Sequence, residues 1–168
     1  MNFKFYAEKL KSSKNFKKFA RENKEAFPCS CFFIIDKEEN GKDKQHFDFY
    51  IPSSKKIFSF PLEDGGEETA LELKDGKIPL RISMNHDFDF KDVEQVIQTR
   101  MDEEKITNKI QKMLFSLQNA DGKDMFIATI FVTSFGLVNA VIDIDEMKIK
   151  DFKKKSFLDM MSIFKKDK

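Results

Sequence analysis

The chain has 168 residues, 40% of them hydrophobic and 35% charged, with 20 phenylalanines, no tryptophan and a formal net charge of +1. That much apolar bulk supports a real core and excludes a disordered chain. No run approaches the roughly 20 continuous apolar residues of a membrane-spanning helix, and the start, MNFKFYAEKLKSSKNFKKFA, lacks a signal-peptide apolar run, so a cytoplasmic protein is expected.

Charge is spread unevenly. Residues 1–24 carry a net +6 and residues 146–168 a net +4, which leaves −9 for the middle. Lysine-rich ends of this kind are either solvated helix faces or arms for an anionic partner.

Residues 4–25 place Phe5, Tyr6, Leu10, Phe16, Phe19 and Ala20 on one helical stripe, interrupted near Ser12 and Ser13, and Pro28 ends the helix. Strands are then expected at 29–35, 46–51, 56–60, 68–73 and 78–84, separated by the turn-forming stretches EENGKD, PSS, EDGGEE and KDGK. Pro79 assigns the last of these to a sheet edge, where no ladder bond is lost. From Asp89 to Leu117 the period becomes helical through Val93, Val96, Ile97, Met101, Ile106, Ile110, Met113, Leu114 and Leu117. This predicts one long central helix, stopped by NADGKD. MFIATIFVT and LVNAVIDI follow as a hairpin turning at Ser134, Phe135 and Gly136, and SFLDMMSIF is predicted as a short closing helix.

The two halves repeat the order helix, apolar strand, second strand and basic strand, and overlaying YIPSSKKIFSF on IDIDEMKIKDF brings Ile57 onto Ile149 and Phe60 onto Phe152. The second half, through FSLQNADGKDMFIATIFVTSFGLVNAVIDIDEMKIKDF, resembles a PepSY-like module, and CFFIID with HFDFYIPSSKKIFSF looks like a divergent copy. Glu146 and Met147 stand where that pattern has a turn glycine. The resemblance implies an α+β fold of two helix-plus-antiparallel-sheet halves, divided as residues 1–84 and 85–168. It also implies a non-catalytic interaction module, of a kind associated in some relatives with restraining peptidases.

The residues themselves offer few chemical constellations. Cys29 and Cys31 in CSCFFIID share one strand face about 6.6 Å apart, too far for good disulfide geometry, and further metal ligands are scarce. Packing in a buried strand is the simpler role for them, and two cysteines form no disulfide framework, as suits a reducing compartment. In MNHDFDF, His86, Asp87 and Asp89 are a candidate metal or acid-base group, set against the simpler reading of Asp89 as the helix cap with Asp92 one turn in. Asp143 and Asp145 alternate with Ile142 and Ile144, which assigns them to an exposed strand face as solvating groups. Gly65 and Gly66 lie among four acids, unlike a phosphate-binding loop, and no serine has the setting of a nucleophile elbow.

The expectation is therefore a protein that is not an enzyme and uses no metal or cofactor. It would bind a protein partner through a sheet face or edge. The alternative is an anionic-surface binder, for nucleic acid or acidic lipid, using Lys4, Lys11, Lys14, Lys17, Lys18 and Arg21 with Lys153, Lys154 and Lys155.

Overall fold

Ser13 ends one helix and begins the next. In this computed structural model, which describes residues 2–63, 69–73 and 76–156, its N–H donates to Leu10 O at 3.0 Å while its Oγ accepts from Phe16 N–H at 3.2 Å. The single expected stripe is thus two helices, α1 (Phe3–Ser12) and α2 (Lys14–Glu22), and α2 stops well before Pro28, which lies within the first strand.

The strands are β1 (Phe27–Asp36), β2 (Lys44–Ile51), β3 (Lys56–Pro61) and β4 (Thr69–Glu72), followed after α3 (Phe90–Glu103) by β5 (Ile110–Ala120), β6 (Lys123–Val132), β7 (Gly136–Asp143) and β8 (Lys148–Ser156). Residues 78–84, expected as a strand, join no ladder. Ile82 N–H makes a single bond to Pro28 O at 3.0 Å, Ile78 and Leu80 are exposed, and β4 already occupies that edge of the sheet. The closing helix expected at SFLDMMSIF falls on residues outside those described, apart from Ser156 at the end of β8.

The long helix to Leu117 is corrected to 14 residues. Its end is a Schellman motif: Ile106 N–H donates to Met101 O at 2.8 Å and Lys105 N–H to Asp102 O at 3.0 Å, with Lys105 in the left-handed conformation (φ 57°). Beyond it the chain is β5. Residues 110, 113, 114 and 117 fit a helical stripe, but Met113, Phe115 and Leu117 also fit the two-residue period of a strand. Pairing with β1 and β6 on either side decides between the two periods. NADGKD is consequently a hairpin turn rather than a helix stop, with Asp121 and Gly122 both at positive φ (52° and 86°), as a tight Asp-Gly turn requires.

All eight strands form one antiparallel sheet in the order β4-β3-β2-β1-β5-β6-β7-β8. This overturns the α+β expectation of two PepSY-like helix-plus-sheet halves, because β1 and β5 are hydrogen-bonded to each other from Ser30↔Gln118 to Asp36↔Lys112 and the sheet is continuous. The proposed overlay also shifts: Ile57 lies in an inner strand, β3, whereas Ile149 lies in the edge strand β8.

The three helices lie on the sheet face that carries Phe33, Phe47, Phe60, Phe115 and Phe126. Phe3 meets Phe47 at a ring separation of 5.8 Å, Phe19 meets Phe60 at 4.8 Å, and Phe90 meets Phe33 at 4.7 Å. Phenylalanine rings in tilted and edge-to-face contact thus fill the layer between helices and sheet, and each such pair adds about 0.5–1.5 kcal/mol to the burial itself.

Candidate functional site

Because side chains alternate along a strand, the residues between the core positions point to the opposite face. In an antiparallel sheet with helices on one side, the other face is ordinarily polar. Instead, three adjacent rows of that face carry seven large apolar side chains among the thirteen positions that follow. One runs Phe32, Ser116, Ile127, Val141; the next Ile34, Leu114, Thr129, Asn139; the third Asp36, Lys112, Phe131, Leu137, Lys155. Ile127 is 46% exposed and Phe131 38%, while Phe32, Ile34, Leu114, Leu137 and Val141 are half-buried. No helix among the described residues covers this face.

Lysines border the patch. Lys44 pairs with Ile34 in register and Lys155 with Leu137, and neither has an ion-pair partner among the described residues. Lys112 is held by Asp36 at 2.8 Å and Lys153 by Asp151 at 3.1 Å. The hydrogen bond from Lys112 keeps the Asp36 carboxyl below its ordinary value and holds the Lys112 ammonium above its own. Toward β3 the face turns polar: Ser30 Oγ donates to Asp48 Oδ2 at 2.6 Å, and His46, stacked on Phe32 at 5.2 Å, stands 3.7 Å from Asp48 Oδ1. The serine here bonds to the carboxylate, and the imidazole is not placed to take its proton.

The nine cations singled out from sequence do not form one patch. Lys14, Lys17, Lys18 and Arg21 lie on α2 with Lys11 at the end of α1, along a groove that also exposes Phe16 and Ala20. Lys4 is exposed in the first turn of α1. Lys153, Lys154 and Lys155 are on β8. α2 rests on β2 and β3 through Phe16 against Phe49 and Phe19 against Phe60. From β3 to β8 is six strand steps, about 29 Å at roughly 4.8 Å per step. The β8 lysines occupy a sheet edge, where such residues discourage pairing with another chain.

His86 parts from its sequence neighbours. Asp89 caps α3, accepting Lys91 N–H at 2.9 Å, and that bond holds its carboxyl below the ordinary range. His86 instead meets Asp124 at 2.7 Å (Nε2 to Oδ2) and Asp145 at 3.5 Å (Nδ1 to Oδ1), partners remote in sequence. Asp124 is buried and also accepts Ser83 N–H at 2.7 Å and the Asn119 amide at 2.8 Å. These three contacts make the carboxylate a structural tie. No group of three or more His, Cys, Asp or Glu able to hold a metal occurs among the described residues.

Asp143 is not a solvating group on an exposed face. It is 1% exposed and accepts the N–H groups of Asp145 and Glu146 in the β7–β8 turn, with Lys123 Nζ at 3.3 Å. The Glu146 N–H and the lysine hold its carboxyl below the ordinary value. Met147, at φ 50°, takes the positive-φ turn position without a glycine. Cys29 and Cys31 are free and buried, and burial pushes the Cys29 thiol up to about 12 and the Cys31 thiol well above its ordinary value.

No protein-family model matches the chain, and no curated protein matches its sequence. The fold is similar to the crystal structure of a putative lipoprotein from Clostridium difficile 630, with a TM-score of 0.56 and 10% sequence identity over 83% of this chain and 89% of that one. At that identity the likeness concerns the fold alone.

Proposed function

We propose that the chain is a non-enzymatic interaction module that holds a protein partner on the helix-free face of its sheet. The observation that supports this reading is the contiguous apolar patch of Phe32, Ile34, Leu114, Ile127, Phe131, Leu137 and Val141, in a molecule whose other sheet face already buries a complete core. Contiguous exposed apolar surface rimmed by polar groups is the usual mark of a protein interface. The rim points to the partner's chemistry: Lys44 and Lys155, without ion-pair partners among the described residues, call for an apolar surface edged with carboxylates, which would also steer the encounter. The PepSY-like resemblance belongs to this proposal, with a restrained peptidase as one form of the partner, and so does a cytoplasmic setting.

A photo-crosslinking residue at Ile127 tests the reading in cells, with the same residue at Lys17 on α2 and at Gln98 on α3 as controls. A defined protein adduct from Ile127 alone, to an acid-rimmed apolar surface, is expected. No adduct from Ile127, or the same adducts from all three positions, overturns it.

A second reading rests on α2, where Lys14, Lys17, Lys18 and Arg21 with Lys11 line one groove beside Phe16. An anionic surface bound there would be held by α2 and the end of α1, without Lys153 to Lys155. Binding to anionic vesicles or single-stranded nucleic acid that falls steeply with salt and disappears in a Lys17→Glu, Lys18→Glu variant would favour it. Absence of both at low salt would remove it.

A further inference from the structure

On the helix side of the sheet, away from the proposed interface, Gln45 is 8% exposed and no hydrogen bond among the described residues involves its side-chain amide. Its main chain is fully engaged, the N–H donating to Glu63 Oε1 and the carbonyl accepting from Leu62 N–H at 2.9 Å. The amide is not among the buried side-chain atoms left without a partner, so solvent reaches it, and a ligand in the adjoining cavity can take the place of that water. Gln45 lines a cavity of about 180 Å³ shared with Tyr6, Phe33 and Phe90. It stands opposite Phe33 in the β1–β2 register, so both side chains project to the same side.

The walls of this cavity are aromatic. Tyr6 lies 5.6 Å from Phe33 and 6.0 Å from Phe90, and the two phenylalanines are 4.7 Å apart. The rim is electrically balanced, with Lys37 paired to Glu94 at 2.7 Å, Asp43 accepting Asp36 N–H at 2.9 Å, and Lys91 beside them. An apolar cavity of about 150 Å³ takes a benzene ring. This one therefore has room for a single ring with a small substituent, and its balanced rim favours no net charge. A glutamine amide offers a donor and an acceptor side by side, and its complement is another amide-type edge.

We propose that the cavity binds a small neutral ring carrying an amide edge, the chemistry shared by aromatic carboxamides and pyrimidine-type bases. The ring packs against Phe33, Phe90 and Tyr6, and the edge pairs with the Gln45 amide. Binding at this site is independent of the sheet-face interface.

The test is a titration of the full chain, followed by amide chemical shifts, with benzamide, uracil and toluene as probes. Saturable shifts confined to the neighbourhood of Gln45, Phe33 and Lys91 are expected with benzamide or uracil, at a dissociation constant of about 1 mM or below for so few atoms. Benzamide alone would identify a carboxamide source and uracil alone a pyrimidine one, and either supports the site. Gln45→Leu should weaken the amide-bearing probe about tenfold and leave toluene unweakened, as expected when one neutral hydrogen-bonded edge is lost; Gln45→Met serves if the leucine variant does not fold. Three results overturn the proposal: no saturable shift with any probe, which would mean a cavity filled by water only; binding of toluene alone; or amide-probe binding indifferent to both substitutions.

Discussion

His86 Nε2 stands 2.7 Å from Asp124 Oδ2, and this contact ties the extended chain leading into α3 to the start of β6. Because Asp124 also serves Ser83 N–H and Asn119, its removal leaves three donors, the largely buried His86 ring among them, without their acceptor. Asp124→Ala is expected to cost about 2–3 kcal/mol. Urea denaturation measures it, and an unchanged midpoint would show the tie to be idle.

The cysteines should be inert in the native state. Thiolate is the reactive form, and burial holds the Cys29 thiol up to about 12 and that of Cys31 well above ordinary, so modification by a disulfide reagent near pH 8 should await unfolding. The raised values also carry a sign. The stability linked to Cys29 is full below its ordinary value of 9.0 and is lost as the pH rises toward about 12, because the unfolded thiol ionises first. A Cys29→Ala, Cys31→Ala variant should lose less stability over that alkaline range than the parent. Rapid native-state labelling of both thiols would contradict their burial.

Asp143 acts in the opposite direction. Its folded-state value is lowered, first by the Glu146 N–H and then by Lys123, so its contribution is full above 3.8 and is lost as pH falls through the lowered value. Asp143→Ala should therefore be less stable than the parent near neutrality, with the gap closing in acid. Denaturation curves at descending pH read this directly, and a gap that persists unchanged would remove the charge from the explanation.

Lys105 marks where the long-helix expectation failed. A non-glycine residue at φ 57° is strained, and Lys105→Gly should stabilise the chain by about 0.5–1 kcal/mol. A loss of stability instead would mean that the left-handed turn does not end α3. Composition and periodicity made the break near Ser13, the cap at Asp89 and the β6–β7 hairpin legible, because each rests on local chemistry. They could not separate helix from strand at 110–117, where Met113 and Leu117 satisfy both periods and only pairing with β1 and β6 decides.

The candidate interface was hidden for a related reason. In MFIATIFV the apolar residues fall at both parities, so Phe126 and Ile130 in the core look no different from Ile127 and Phe131 outside it. The lysine clusters were plain in the chain, but their separation across the sheet depends on strand order, and so does the meeting of His86 with Asp124.

The most direct test of the proposed interface is an Ile127→Asp, Phe131→Asp variant, at the two exposed apolar positions of the patch, compared with the parent for stability and for binding of the partner identified by crosslinking at Ile127. Substitutions on a solvent-facing surface should change stability by no more than about 0.5 kcal/mol each. The account predicts near-parental unfolding together with loss of partner binding. Parental binding by a folded variant would contradict it.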